Sequence, residues 1–515
     1  MRVLLLYPEF PQSFWSFEKT LALVGKKALL PPLGLITVAG LLPKEWEYKL
    51  VDRNIRQVTA AEWQWAELVV ISGMIVQKDD FLKGIEDAHA RGKKVAVGGP
   101  YATSMPEDVA AADYLILDEG EITIPMFVEA ISRGETSGKF RTAEKAAVTE
   151  TPIPRYDLLD FEAYDNMSVQ FSRGCPFQCE FCDIIVLYGR KPRTKEPKQL
   201  LKELEFLYEL GWRGGVFMVD DNFIGNKRNV KKLLAELKEW MRDKDYPFSF
   251  DTEASVDLAK DEELMDLMAE CNFKKVFLGI ETPDEASLAL TQKFQNTRDP
   301  LSESVDKITR SGLQVMAGFI IGFDNEKTGA GDRIVSFVEQ TGIPMAMFSM
   351  LQALPNTALW HRLEKEGRML YQGANINQTT LMNFIPTRPI EEIAQEYVNG
   401  FYQLYDPKTY LDRTFRYYMK LGVPRHSSRR KVDSKSIKAL LTICWRQGVL
   451  RDTRWKFWLN LAQILLRSPK LVPLYLISCA YLEHFIEYRQ IVTDKINAQL
   501  QAYLASRSKE KSMAA

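Results

Sequence analysis

Ser172-Arg173-Gly174-Cys175-Pro176-Phe177-Gln178-Cys179-Glu180-Phe181-Cys182-Asp183 sets three cysteines in one short loop, spaced C-x-x-x-C-x-x-C. Directly before it, Met167–Phe171 reads as a short apolar strand, so the loop opens at a strand's carboxyl end. Working outward, strand-like segments recur at Gly215–Val219, Ser249–Thr252, Lys275–Ile280, Gln314–Ile321 and Met345–Leu351, with helical patterns between them. Six βα units in a row predict a partial (β/α)6 barrel whose catalytic edge carries the loops. Clustered thiolates are soft ligands that select zinc or iron–sulfur clusters. A structural zinc usually takes four protein ligands, and no fourth Cys or His lies near this loop. Three thiolates can hold a [4Fe–4S] cube and leave one iron open to a ligand that is not protein. A zinc knuckle, or three unrelated thiols, is the plainer alternative.

Upstream, the chain alternates in the same way. Strands are expected at Arg2–Tyr7, Tyr48–Asp52, Leu68–Ser72, Lys94–Val97 and Tyr114–Leu117. Short apolar strands alternating with helices argue for a parallel sheet covered on both faces, a doubly wound, Rossmann-like α/β domain. Gly98-Gly99-Pro100 follows the fourth strand and puts bare backbone at the carboxyl edge, where ligands of open α/β sheets bind. Polar Arg133–Arg155, with Thr151-Pro152-Ile153-Pro154, reads as linker. The chain thus divides into an N-terminal domain over 1–135, a linker over 136–166, the barrel over 167–388 and a helical, basic region over 389–515.

A chain of 515 residues suggests roughly three domains, and 46% hydrophobic with 26% charged residues is the composition of an ordinary globular protein. Six cysteines, three of them in one loop, do not read as a disulfide framework; free thiols fit a reducing cytosol. The N-terminal apolar run is too short for a signal peptide and reads as a first strand. Charge is uneven. Residues 406–515 carry 21 Lys and Arg against 8 Asp and Glu, a net +13, beside −14 in the preceding 405 residues. Such asymmetry suggests an anionic partner, a membrane surface or a nucleic acid. Leu471–Leu482 is apolar but too short to span a bilayer. Thr453–Arg467 sets Arg454, Lys456 and Arg467 among Trp455, Trp458, Leu461, Leu465 and Leu466, which suits an interfacial helix. A helical subdomain packed on the barrel accounts for the same pattern.

The cysteine spacing, with aromatic Phe181 before the last cysteine, resembles the radical S-adenosylmethionine (SAM) superfamily. That resemblance implies that Cys175, Cys179 and Cys182 hold a [4Fe–4S] cluster whose open iron chelates SAM and cleaves it to a 5′-deoxyadenosyl radical. The N-terminal domain is similar to the cobalamin-binding domain that precedes the barrel in a large subgroup. The matching pieces are Pro31-Pro32-Leu33-Gly34-Leu35, Ser72-Gly73-Met74, Gly98-Gly99-Pro100-Tyr101-Ala102-Thr103 and Asp118-Glu119-Gly120-Glu121. The likeness implies that Ser72, Gly73, Gly98 and Gly99 border the corrinoid, small because its nucleotide tail threads beside the sheet. One departure stands out: Pro8-Glu9-Phe10 replaces the D-x-H-x-x-G loop after strand one, and His89 lies in a helical pattern as a surface residue. Cobalamin is therefore expected without a protein histidine on cobalt. A doubly wound sheet that binds something else is the alternative.

Gly318-Phe319-Ile320-Ile321-Gly322 matches the superfamily's G-x-I-x-G element, so the resemblance assigns Phe181, Gly318, Ile320 and Gly322 to SAM, although any buried strand with glycines fits the bare pattern. Asp221, Glu253 and Glu281 fall at expected strand ends, where carboxylates can hold SAM's amino group or ribose hydroxyls; helix N-caps are the rival reading. The chain most resembles cobalamin-dependent methyltransferases of the hopanoid C-2 methylase type, through Val24–Gly34, Thr252-Glu253-Ala254-Ser255, Leu354-Pro355-Asn356-Thr357 and Asn383-Phe384-Ile385-Pro386. This implies C-methylation of an unactivated carbon of an apolar, hopanoid-like substrate, with the methyl from methylcobalamin. The implied partners are a small-molecule or lipid substrate and a reductant such as ferredoxin or flavodoxin, with no nucleic acid. The implied location is the cytoplasm, or the inner face of the membrane as a peripheral protein. Two alternatives keep the same residues: ring closure without methyl transfer, resembling the anaerobic magnesium-protoporphyrin cyclase, and a cobalamin-binding sensor or carrier with a structural cluster.

Overall fold

The computed structural model describes residues 1–370, 376–426 and 434–514. They gather into two compact units. The first comprises Met1–Gln12, Gly25–Pro176 and Asp183–Phe248; the second comprises Ser13–Val24, Phe177–Cys182 and Ser249–Ala515.

The first unit contains a parallel sheet of β1 (Arg2–Tyr7), β2 (Glu47–Asp52), β3 (Leu68–Ser72), β4 (Lys94–Gly98), β5 (Tyr114–Ile116) and β6 (Gly138–Phe140), in the order β2-β1-β3-β4-β5-β6. Side chains alternate along β1 as the pleat requires. Leu4 and Leu6 pack with Val69, Ile71 and Phe81 on one face, and Val3 and Leu5 with Leu35, Val70 and Phe127 on the other. Both faces are dry, which is why these strands are apolar at every position. β6 lies inside the segment expected as linker. Gly138-Lys139-Phe140 carries little apolar signal, yet its backbone pairs with β5 and the Phe140 ring packs 5.9 Å from Phe127. Edge pairing needs free backbone donors and acceptors more than apolar side chains.

Still in the first unit, β7 (Asn166–Val169) leads to β8 (Ser172–Arg173), which pairs antiparallel with β9 (Arg193–Thr194). β10 (Gly214–Met218) runs parallel to β7, with Val216 opposite Met167. In the second unit, β11 (Phe248–Ala254), β12 (Phe273–Glu281), β13 (Gln314–Ile321) and β14 (Met345–Met350) pair in parallel in that order. Helices Glu262–Glu270, Leu301–Arg310 and Ala330–Thr341 separate them. The βα strands of the expected barrel therefore all form, within a residue or two of the positions read from the sequence.

Beyond Pro389 the described chain is helical: Ile390–Leu404, Pro407–Lys420, Ser434–Trp445, Arg454–Arg467 and Val472–Ala514, with a π-helical turn at Arg446–Leu450. Buried tyrosines bind these helices to the strands. The Tyr405 hydroxyl donates to the Ala346 carbonyl at 2.7 Å, and the Val315 N–H donates to the Tyr417 hydroxyl at 2.6 Å. The expected packed helical subdomain is thus present. Among the described residues, no helix is long and apolar enough to cross a membrane.

Candidate functional site

The cysteine loop opens at Gly174, whose φ is +89°. A Cβ there would lie 2.8 Å from the Gly189 carbonyl oxygen, so only glycine takes the chain round this bend. Cys175 follows at once; its N–H donates to Gly189 O at 3.3 Å, and the Asn222 amide lies 3.9 Å from its sulfur. Asp220, at the end of β10, anchors the strand that feeds the loop. It is fully buried and accepts the Phe171 N–H at 2.8 Å, the Ser172 N–H at 2.7 Å and the Ser172 hydroxyl at 2.6 Å. Burial pushes its carboxyl up to about 6 despite these donors.

Two arginines flank the loop, and both meet the Asp118-Glu119-Gly120-Glu121 motif. Arg173 is bidentate on Glu121, and Arg193 is bidentate on Glu119 at 2.8 and 2.7 Å. Arg173 also reaches Glu119 at 3.2 Å. Planar guanidinium forks match carboxylates in both geometry and charge. The acidic motif, read from the sequence as a cobalamin-domain element, holds both strands of the β8–β9 ribbon through the facing pair Arg173 and Arg193.

Within the second unit, Cys179 is buried and Cys182 half-buried, with the Cys182 N–H donating to Cys179 O at 3.2 Å. The Gln295 amide lies 3.7 Å from the Cys179 sulfur. Lys293 is buried and ion-paired to Glu281. Burial works against the ammonium, but the Glu281 carboxylate and then the Cys179 sulfur hold its pKa above the ordinary lysine value. Glu281 itself sits at a strand irregularity with φ +65°. A Cβ on neighbouring Gly279 would fall 2.6 Å from its carboxylate, so that glycine makes room for the ion pair. Phe181 packs 5.9 Å from Phe323, and both line a cavity of about 600 Å³ with Thr291, Leu351, Arg362 and Arg368.

The other expected SAM positions are placed as follows. Gly318 lies in mid-β13, where a Cβ would meet the Phe277 ring at 3.0 Å; Ile320 is half-buried on the same strand. Gly322 follows β13 at φ +99° and donates its N–H to Glu326 at 2.8 Å. Asp221 is not a helix cap: Asn222 and Asn226 hold the cap positions there, and burial, reinforced by Asp220 and Asp183, pushes the Asp221 carboxyl up to about 7. Glu253 is half-buried on β11 and Ser255 takes the following cap position; after Glu281 the cap is Asp284.

At the carboxyl edge of the first sheet, Ser72 and Gly98 stand opposite each other in register. A Cβ on Gly98 would lie 2.8 Å from the Ile116 carbonyl oxygen, and one on Gly99 (φ +85°) would lie 2.4 Å from the Ser72 hydroxyl. Gly73 has Gln77 and Phe81 at 3.1 Å from the same construction. At Gly98 and Gly99 the packing of the edge itself requires glycine, and the backbone there is half-buried. His89 ends its helix before β4, at the amino edge, and bonds Asp113 at 3.0 Å.

Models of two known families cover these regions: the B12 binding domain matches residues 23–128 and the Radical SAM superfamily matches 169–337. A domain of unknown function matches 357–498. The chain is 66% identical to an uncharacterized methyltransferase of Synechocystis sp., over 99% of this chain and 96% of the relative. It is 35% identical to the hopanoid C-2 methylase of Rhodopseudomonas palustris, over 89% of this chain and 88% of that one. The chain belongs to the cobalamin-binding radical SAM methyltransferases. Its fold is also that of a solved cobalamin-dependent SAM radical enzyme with aqua-cobalamin bound (TM-score 0.59, 16% identity, 97% of this chain and 80% of the other).

A member of this family uses a [4Fe–4S] cluster, SAM and cobalamin, and the residues present fit the first of these. None of the six cysteines is in a disulfide. A four-iron cube carries its thiolates on separate irons. Sequence reading did not find Arg173, Arg193, Asp220, Lys293 or Gln295. Of these, only Arg173, two residues before Cys175, stands beside the cysteines in the sequence.

Proposed function

We propose that this methyltransferase C-methylates an unactivated carbon of an apolar, hopanoid-like lipid. The observation that carries this reading is the similarity to the hopanoid C-2 methylase over 89% of this chain. In this reading Cys175, Cys179 and Cys182 hold the cluster. Phe181, Gly318, Ile320 and Gly322 receive the SAM adenine, and Asp221 and Glu253 receive its polar groups. Ser72, Gly73, Gly98 and Gly99 offer bare backbone to the corrinoid. The bound groups supply the redox chemistry, namely reductive SAM cleavage at the cluster and methyl donation at cobalt. The chain itself orients the partners: Asp220 and the two arginine clamps hold the cysteine loop in place. Glu281 joins Asp221 and Glu253 in this reading, ion-paired to Lys293. The electron donor is a low-potential protein such as ferredoxin or flavodoxin.

The test is product stoichiometry with reconstituted protein, reductant and diploptene or a related pentacyclic hydrocarbon. Each methylated product should appear with one S-adenosylhomocysteine and one 5′-deoxyadenosine. Deoxyadenosine without S-adenosylhomocysteine or methylated product would overturn the reading.

A further inference from the structure

The helices Ser434–Trp445 and Arg454–Arg467 are apolar on the side that faces away from the protein. In the second helix Phe457, Asn460 and Ile464 are buried, yet Trp455, Leu459, Ala462 and Leu466 form an i, i+4, i+7, i+11 stripe that is exposed along its length. Trp455 is 76% exposed and Leu466 86%. In the first helix Ile437, Leu441 and Trp445 repeat the pattern at four-residue spacing, and Leu450 continues it from the π-helical turn. Single exposed apolar side chains are ordinary; two successive exposed stripes with two tryptophans mark a contact surface.

The surface is built rather than frayed. The Trp458 indole donates to the Gly448 carbonyl at 2.9 Å, and a Cβ on Gly448 would lie 2.7 Å from that ring. Gln447 donates to Glu483 at 2.6 Å, and Arg451 is bidentate on the same carboxylate at 3.2 and 3.0 Å. The turn between the helices is thus locked to the last helix. This separates the two tryptophans that look alike in the sequence: Trp458 is a strut, and Trp455 points outward. It also sorts the basic residues. Arg451 pairs with Glu483, Lys456 pairs with Asp412, and Arg467 donates to the Leu421 carbonyl.

We propose that this pair of helices docks the protein on the surface of an anionic lipid bilayer. Charge selects that occupant: between Ile437 and Leu466 there are five Lys and Arg and a single acid, Asp452. With Arg451 and Lys456 paired inside the protein, the surface charge falls to Lys438, Arg446 and Arg454. Tryptophan beside leucine on a stripe flanked by basic residues is the composition of helices that lie in the interface, their apolar face about 5–10 Å deep. No described helix can cross the bilayer, so the contact is of the lying kind. The inference rests on the lipid-substrate reading for its purpose, though not for the residues that make it.

The test uses the full-length protein without SAM, cobalamin or substrate, so its outcome is independent of the methyl-transfer assay. Sedimentation with phosphatidylglycerol–phosphatidylcholine vesicles should carry down the wild type. The exposed pair Leu459→Glu and Leu466→Glu should lower the partition coefficient on the order of tenfold or more at unchanged melting temperature. Brominated lipid should quench wild-type tryptophan emission, and Trp455→Phe should remove most of that quenching. Wild type left in the supernatant, a double variant that partitions as well as wild type, or equal binding to pure phosphatidylcholine would each overturn the proposal. So would self-association of the wild type that the double variant abolishes, since the occupant would then be a second copy of this chain.

Discussion

Glu121 takes two hydrogen bonds from the Arg173 guanidinium, at 2.7 and 2.9 Å, across 52 residues of chain. Arg173 stands two positions before Cys175, and Glu121 stands in the acidic motif after β5. A carboxylate of the N-terminal α/β domain therefore anchors the strand that leads into the cysteine loop, both residues lying in the first compact unit.

That bond makes a pH-dependent prediction. Burial alone would raise the Glu121 carboxyl, but Arg173 holds it at about 2, against an ordinary 4.5. A depressed acid stabilises the fold above its unfolded pKa and loses that contribution as pH falls from 4.5 towards 2. At about 1.4 kcal/mol per pKa unit the full effect is on the order of 3 kcal/mol. Denaturant titrations of wild type and Glu121→Gln should differ most above pH 5 and converge on acidification. A stability gap that stays constant from pH 7 to pH 3.5 would contradict the assignment.

Asp220 positions the loop through backbone donors, so its loss should be felt in order as well as in stability. Asp220→Ala leaves the Phe171 and Ser172 N–H groups buried without their acceptor, at a cost of about 1–3 kcal/mol each before relaxation. Amide exchange at Phe171 and Ser172 should accelerate, and iron content after reconstitution should fall below that of the wild type. Unchanged exchange with full iron would show that the carboxylate is dispensable.

Cys175, Cys179 and Cys182 should bind about four irons per chain after anaerobic reconstitution. The triple Cys→Ala protein should bind essentially none. Iron retained in that variant, or a tetrathiolate zinc spectrum in wild type, would refute the cluster assignment.

Cobalamin should bind without a protein nitrogen on cobalt. His89 is engaged by Asp113 at the amino edge of the sheet, away from the carboxyl edge where open α/β sheets receive ligands. Spin-resonance spectra of the cob(II)alamin form should lack nitrogen splitting from protein, and His89→Ala should leave them unchanged. Splitting that disappears in this variant would mean that histidine reaches cobalt.

The cysteine spacing, the strand rhythm and the glycines at Gly98 and Gly99 were legible in the sequence because each is a local requirement. A cluster loop, a pleat and a left-handed turn impose their chemistry on neighbouring residues. Pairings between distant charges impose nothing locally. Nothing near Glu281 in the sequence points to Lys293, and only folding buries the two together, where an unpaired charge would be costly. The 67 basic and 68 acidic residues give no sign of which arginine meets Glu119 or Glu121. Trp455 and Trp458, three residues apart on one helix, differ only because one side of that helix packs on the protein. Tertiary packing decides which groups share a desolvated environment, and that sharing set the roles of the arginine clamps, of Lys293 and of the outward-facing helices.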